Sequence, residues 1–322
     1  MSGDSASESR QAKVAYIFPG QGSQYPGMGR DLAENCSAAL DVFEEADDAL
    51  GFSLSRLCFE GPAEELQLTE NTQPAILSVS VAALRAMQAE GFPTADYVAG
   101  HSLGEYSALV ASGALRLADA VRAVRARGRY MQEAVPVGAG AMAAVIGLTL
   151  TEIEAVCDEA SQGQVCTPAN INSPNQVVIA GSTKAVERAI DLLKERGAKR
   201  VLKLNVSAPF HCALMLPAQE RLALDLDKID IGDAEIPVVV NVNARACKSG
   251  SDLRKALVRQ VSLPVRWQQS IELLISEGVS SFVEVGPGKV LSGLLRQINR
   301  GATGLNVEDS ASLSAARENL LV

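Results

Sequence analysis

The chain is poor in histidine. Among its 322 residues there are two, His101 and His211, so any imidazole base must be one of that pair. Its six cysteines (36, 58, 157, 166, 212 and 247) form no CxxC pair. That spacing excludes a disulfide framework or a cysteine zinc site and reads as free thiols in a reducing cytoplasm. No apolar run reaches the roughly 18 residues a membrane-spanning helix needs. The first ten residues, MSGDSASESR, hold no apolar stretch of the kind a secretory signal requires, and residues 1–12 read as a disordered lead. Basic blocks are also missing, and 29 Lys and Arg against 38 Asp and Glu leave a net charge of −9, which argues against nucleic acid as a partner. At 47% hydrophobic and 21% charged residues, the composition is that of an ordinary globular protein large enough for a sizeable core.

What is present is the pentapeptide Gly100-His101-Ser102-Leu103-Gly104. It fits G-x-S-x-G, in which a serine occupies a sharp turn between a strand and a helix and presents its hydroxyl to a carbonyl. The flanks agree: Ala95 to Ala99 reads as a short strand, and Glu105 to Ala111 as a helix. A serine needs a base. His101 lies inside the turn, where neighbouring side chains diverge, and reads as a brace for it. His211 is then the candidate base, and no lysine lies close to Ser102 in the sequence to offer a Ser–Lys alternative. The loop Gly20-Gln21-Gly22-Ser23-Gln24 follows an apolar strand, Lys13 to Phe18, but lacks the third glycine of a dinucleotide loop and the GK[ST] of a P-loop. Gln21 is instead a candidate to supply one oxyanion-hole N–H, beside that of Leu103.

Further along, a helix is expected to start at Asn71-Thr72-Gln73-Pro74, with proline in its first turn. Another, Leu117 to Met131, carries Arg122, Arg125, Arg127 and Arg129, which as helix charges read as solvated. Residues 138–206 change pattern: strand, helix starting near Thr151, two strands joined by Asn172-Ser173-Pro174-Asn175, helix, and a strand from Arg200 to Val206. The order βαββαβ is that of a ferredoxin-like module. The fold class expected is therefore α/β: an α/β-hydrolase-like large subdomain (13–137 and 207–310) with an inserted ferredoxin-like small subdomain (138–206), and a C-terminal tail at 311–322.

Taken in order, Gly20 to Gln24, Gly100 to Tyr106, Arg127-Gly128, Ser207-Ala208-Pro209-Phe210-His211 and Val285-Gly286-Pro287-Gly288 closely resemble the malonyl-CoA:acyl-carrier-protein transacylases of bacterial type II fatty acid synthesis. The acyltransferase domains of polyketide synthases share the signature. The resemblance covers about residues 13 to 310, and five motifs in order are far more specific than one. It implies Ser102 as the nucleophile, His211 as base and then acid, a backbone carbonyl of Gln260 orienting the histidine, and the N–H groups of Gln21 and Leu103 as the oxyanion hole. It implies Arg127 as the ligand of the malonyl carboxylate, whose planar fork matches two carboxylate oxygens and so selects malonyl over acetyl. Phe210 matches the malonyl-selective form of the polyketide domains. Gln73, Met131 and Asn172 are further candidates to line the site; Gln73 alternatively serves a helix end, and Asn172 either meets the pantetheine or caps its turn. Cys212 reads as a small buried apolar residue.

The expected partners are malonyl-CoA and acyl carrier protein, with no metal, no bound cofactor, no membrane and a monomeric state. Other readings stay open: a serine thioesterase or hydrolase, an acyltransferase of a polyketide pathway in place of fatty acid synthesis, and a non-catalytic docking protein. Asp119, Asp158 and Asp191 lie between Ser102 and His211, but none sits at a strand end where a hydrolase would place its acid.

Overall fold

The computed structural model describes residues 13–206 and 208–320. The expected lead at 1–12, the boundary residue Ser207 and the last two residues of the expected tail lie outside them. The chain opens with β1 (Lys13–Phe18), α1 (Arg30–Asn35), α2 (Ser37–Leu50), α3 (Leu54–Glu60), α4 (Ala63–Leu66), α5 (Thr69–Ala89), β2 (Tyr97–Gly100), α6 (Gly104–Ala111) and α7 (Leu117–Glu133). There follow β3 (Gly140–Ile146), α8 (Leu150–Ser161), β4 (Cys166–Ser173), β5 (Gln176–Ser182), α9 (Thr183–Glu195) and β6 (Arg200–Lys203). The rest is α10 (Leu216–Leu226), β7 (Val238–Val240), β8 (Arg245–Cys247), α11 (Gly250–Gln260), α12 (Trp267–Ser276), β9 (Val279–Val285), α13 (Val290–Ile298), β10 (Thr303–Val307) and α14 (Ser310–Leu320).

Six strands form one sheet in the order β10-β9-β1-β2-β7-β8. All pairs are parallel except β7 with β8. A parallel sheet is covered on both faces, so its central strands β1, β2 and β7 are largely apolar and buried. In β1, Tyr16 and Phe18 enter the core shared with α5, α6 and α7, while Ala15 and Ile17 point to the opposite core with Trp267, Ile271 and Leu291. The parallel strands β1, β2 and β7 end at Phe18, Gly100 and Val240, side by side. Their C-terminal ends are where open α/β sheets place ligands.

The second sheet runs β4-β5-β3-β6 and is antiparallel throughout. Its strands lie within 138–206. Ala141, Ala143 and Val145 pack on α8 and α9, whereas Met142 and Ala144, facing the other way, join the main core. A parallel bridge ties the sheets' two regions: Ile171 N–H donates to Val265 O (2.9 Å) and Val265 N–H to Ala169 O (2.9 Å).

Several boundaries differ from the sequence reading. Helix α5 begins at Thr69, and Pro74 lies inside it. Asn71 and Thr72 do not cap it; Asn71 Nδ2 donates to Glu65 O (3.0 Å) and Thr72 Oγ1 to Leu66 O (2.6 Å), binding the preceding turn instead. Helix α8 begins at Leu150, one residue before the helix expected near Thr151, and Thr149 with Glu152 makes a reciprocal capping box in front of it. Strand β6 stops at Lys203. The segment after α13 adds a sixth strand, β10, and the residues read as a tail form α14, with Leu313 and Ala316 buried in the core. Only Val307 of β10 is buried, so its alternation is too weak to register as a strand.

Candidate active site

The turn between β2 and α6 carries Ser102 at φ 52°, in the left-handed region that serine rarely visits. Two close approaches demand its glycines. A Cβ on Gly100 would lie 1.9 Å from Gly104 C, and one on Gly104 would lie 2.2 Å from Phe18 O. The turn is thereby wedged against the end of β1, where His101 N–H donates to Phe18 O (3.0 Å). Backbone strain held in this way concentrates at functional positions. His211 shares the feature, with φ 60°.

Ser102 Oγ lies 2.7 Å from His211 Nε2, and His211 Nδ1 lies 2.8 Å from the backbone oxygen of Gln260. A carbonyl only accepts, so Nδ1 carries the proton and Nε2 offers its lone pair to the serine hydroxyl. His211 is 3% exposed. Burial, and next the charge of Arg127, push its pKa down to about 3, so the imidazole is neutral at physiological pH. No carboxylate occupies the orienting position.

Arg127, on α7, is 1% exposed. The helix passes close over the start of α5: a Cβ on the adjacent Gly128 would stand 2.6 Å from Thr69 O. Nη1 donates to Gln73 Oε1 (2.6 Å), and Nη2 to Gln260 Oε1 (2.9 Å) and Ser102 Oγ (3.1 Å). The Tyr106 ring lies 5.9 Å away. These partners are all neutral, and Nε makes no hydrogen bond among the described residues. A buried guanidinium without a carboxylate in contact is a ready anion site, because a bound anion supplies the direct ionic contact that its neutral partners do not. Its neighbours on α7 behave as expected of helix charges only in part. Arg122 is exposed and pairs with Asp119, and Arg129 is exposed, but Arg125 lies half-buried with its guanidinium 4.1 Å from the Phe52 ring centre.

The other candidates fall around this centre. Gln73 is wholly inside α5, where its amide oxygen holds Arg127 and its Nε2 approaches Met131 Sδ at 3.9 Å. Phe210 is 9% exposed, directly before the histidine. Asn172 Oδ1 meets His101 Nε2 at 2.9 Å, joining β4 to the serine turn; it does not cap its own turn. His101 packs on Trp267, ring centres 5.6 Å apart, and Cys212 is buried, with Sγ donating to Pro209 O. Leu103 is buried at the start of α6, and Gln21 is exposed in the loop after β1, its side chain reaching Thr69 Oγ1 at 3.4 Å. Neither backbone N–H is engaged in a hydrogen bond among the described residues.

Two residues were not foreseen. Asn241, at the end of β7, accepts Ser102 N–H at Oδ1 (2.8 Å) and donates Nδ2 to Gly100 O (2.7 Å), clamping the strained turn from both sides. Glu105, fully buried on α6, accepts Asn241 N–H (2.8 Å) and Gln260 Nε2 (3.0 Å) on the same oxygen, Oε2. The signals were available: a polar residue ending an apolar strand, and a carboxylate opening an otherwise apolar helix.

Residues 15–318 match the family model described as an acyl transferase domain. The chain is 50% identical over 310 residues to a malonyl CoA-acyl carrier protein transacylase of Bacillus subtilis, covering 96% of this chain and 98% of the relative. It is 50% identical over 306 residues to the protein of the same name from Escherichia coli, covering 95% and 99%. Among solved structures, the malonyl CoA-acyl carrier protein transacylase of Coxiella burnetii superposes with a TM-score of 0.94 at 44% identity, over 96% of this chain and 98% of that one. A malonyl-transacylase solved in complex with a type II polyketide acyl-carrier protein superposes at 0.93 and 49% identity, over 96% and 100%.

Proposed function

Given that the chain belongs to the acyl transferase domain family and is an acyltransferase, we propose that it moves the malonyl group of malonyl-CoA onto the phosphopantetheine thiol of acyl carrier protein through an ester on Ser102. The observation that carries this reading is the position of Arg127: a buried cation with neutral partners, one hydrogen bond (3.1 Å) from the nucleophile. Malonyl differs from acetyl by a carboxylate at the end remote from the thioester. An acyl group that seats that carboxylate on the guanidinium brings its carbonyl to Ser102.

His211 Nε2 takes the hydroxyl proton as Oγ attacks the thioester carbon. The C–S bond breaks, the imidazolium returns the proton to the departing CoA sulfur, and the malonyl ester remains on Ser102. In the second half, Nε2 takes the proton of the carrier thiol, its sulfur attacks the ester, and Ser102 regains its proton from His211. The N–H groups of Leu103 and Gln21 are suited to receive the oxyanion in both halves. A neutral carbonyl behind His211 stabilises the imidazolium less than a carboxylate would. That suffices here, because a thiol with pKa about 8.5 is a better leaving group and a readier nucleophile than an alcohol or amine. The same reading has the enzyme act as a cytoplasmic monomer.

Transfer and hydrolysis separate in one assay. With malonyl-CoA and holo acyl carrier protein, initial rates are expected to give parallel double-reciprocal lines, with malonyl-carrier as the main product. Free malonate released at the same rate, with or without carrier, would make the protein a thioesterase.

A further inference from the structure

Arg127 is the one fully buried cation among the described residues, and Glu105 is the buried carboxylate nearest to it in the hydrogen-bond network. They do not touch. The Gln260 amide stands between them, its Oε1 accepting Arg127 Nη2 (2.9 Å) and its Nε2 donating to Glu105 Oε2 (3.0 Å). The other buried carboxylate, Glu284, is occupied elsewhere by Leu291 N–H and by the N–H and hydroxyl of Ser292 at the start of α13. Glu105 Oε1 has no hydrogen-bond partner among the described residues.

We propose that Glu105 is a positioning residue that tunes malonyl affinity: it is the counter-charge of Arg127 in the empty site, and it takes up a proton when the malonyl carboxylate arrives. This rests on the malonyl reading of Arg127 given above. The physical argument is charge balance. The empty site holds one cation and one carboxylate joined through an amide. A second carboxylate on Arg127 would leave two buried anions sharing one cation, and like charges in a low-dielectric interior expel one another or protonate. Glu105 can accept that proton on its free oxygen, Oε1, without disturbing the two donors held by Oε2.

The groups that bear on Glu105 are few. Arg127 of α7 is the charged one, Tyr106 of its own helix and Cys247 of β8 are neutral at pH 7, and β7 and α11 contribute the uncharged Asn241 and Gln260. His211 and His101 face Arg127 and the serine turn and remain neutral in their burial. Tyr16 of β1 is bonded to Pro93 O, away from the site. Burial pushes Glu105 up to about 7, against the pull of its hydrogen bonds and of Arg127, so its proton balance changes within the working pH range.

The test uses the full chain with Ser102→Ala, which binds without acylation, and compares it with Ser102→Ala/Glu105→Gln. The Kd of malonyl-CoA is divided by that of acetyl-CoA from pH 6 to 8.5, so that titration of the shared CoA phosphates cancels. With Glu105 present, the preference for malonyl should weaken on going from pH 6 to 8.5, by roughly tenfold for a coupling of about one pKa unit. With glutamine, whose oxygen can still accept both donors, the preference should be flat with pH and stronger at pH 8.5. Parallel profiles in the two proteins would overturn the proposal. Absence of any malonyl preference at every pH would overturn the malonyl reading itself, a different result. Should the glutamine variant not fold, proton uptake on malonyl-CoA binding to Ser102→Ala, measured in two buffers of different ionisation enthalpy at pH 7.5, decides instead. Uptake exceeding that for acetyl-CoA is expected, and equal uptake would refute the coupling.

Discussion

His211→Asn is expected to slow formation of the acyl-enzyme by roughly 10³-fold, within the range of a lost general base, while the KM for malonyl-CoA stays within a few-fold. Asparagine is the informative replacement because the backbone at 211 has φ 60°, where Asn is tolerated far better than Ala. The loss then reflects chemistry more than strain. The wild-type pH profile carries a second signature. A depressed pKa leaves the base form present at every pH above it. With the His211 pKa held down near 3 by burial and the Arg127 charge, saturated acylation should show no acidic limb near 6.5, the pKa of an ordinary histidine. Single-turnover rates by rapid quench between pH 5 and 8 check this; a limb at 6.5 would mean that the imidazole titrates as if solvated.

The second large effect is Arg127→Leu. Loss of a buried, charge-assisted fork should lower kcat/KM for malonyl-CoA by roughly 10²- to 10³-fold. Acetyl-CoA, which presents nothing to the guanidinium, should lose at most a few-fold, so that the donor preference collapses or reverses. Gln73 and Gln260 would each keep an amide oxygen facing an apolar side chain, and that desolvation accounts for part of the cost. Competition of the two donors for labelling is the direct measure. Equal losses on both would reduce Arg127 to a structural residue.

Much of this was readable from the chain, and the reasons are physical. The serine turn declares itself because its glycines are forced by contacts of 1.9 and 2.2 Å with neighbouring backbone, and such constraints leave a fixed local pattern. His211 followed from scarcity, with one other histidine in the chain. The ferredoxin-like order of 138–206 followed from strands and helices with distinct periods. Arg127 was not legible from local pattern: it sits among four arginines on one helix, and only packing against α5 separates it from Arg122 and Arg129. Asn241 and Glu105 show locally only as a polar residue ending an apolar strand and a carboxylate opening an apolar helix; what they hold is set by contacts 139 and 136 residues apart in the chain, which local pattern does not specify. Strand β10 and helix α14 leave little pattern in the sequence because their buried faces are narrow, and the cap-like Asn71 and Thr72 suggest a later start for α5 because they bind the preceding turn instead.

The central claim is the malonyl ester on Ser102. The protein mixed with malonyl-CoA, quenched in acid and weighed intact should gain the mass of one malonyl group, and Ser102→Ala should gain none. Acetyl-CoA at the same concentration should label little. An adduct that persists in Ser102→Ala, or full carrier malonylation with no adduct on the wild-type chain, would contradict the account.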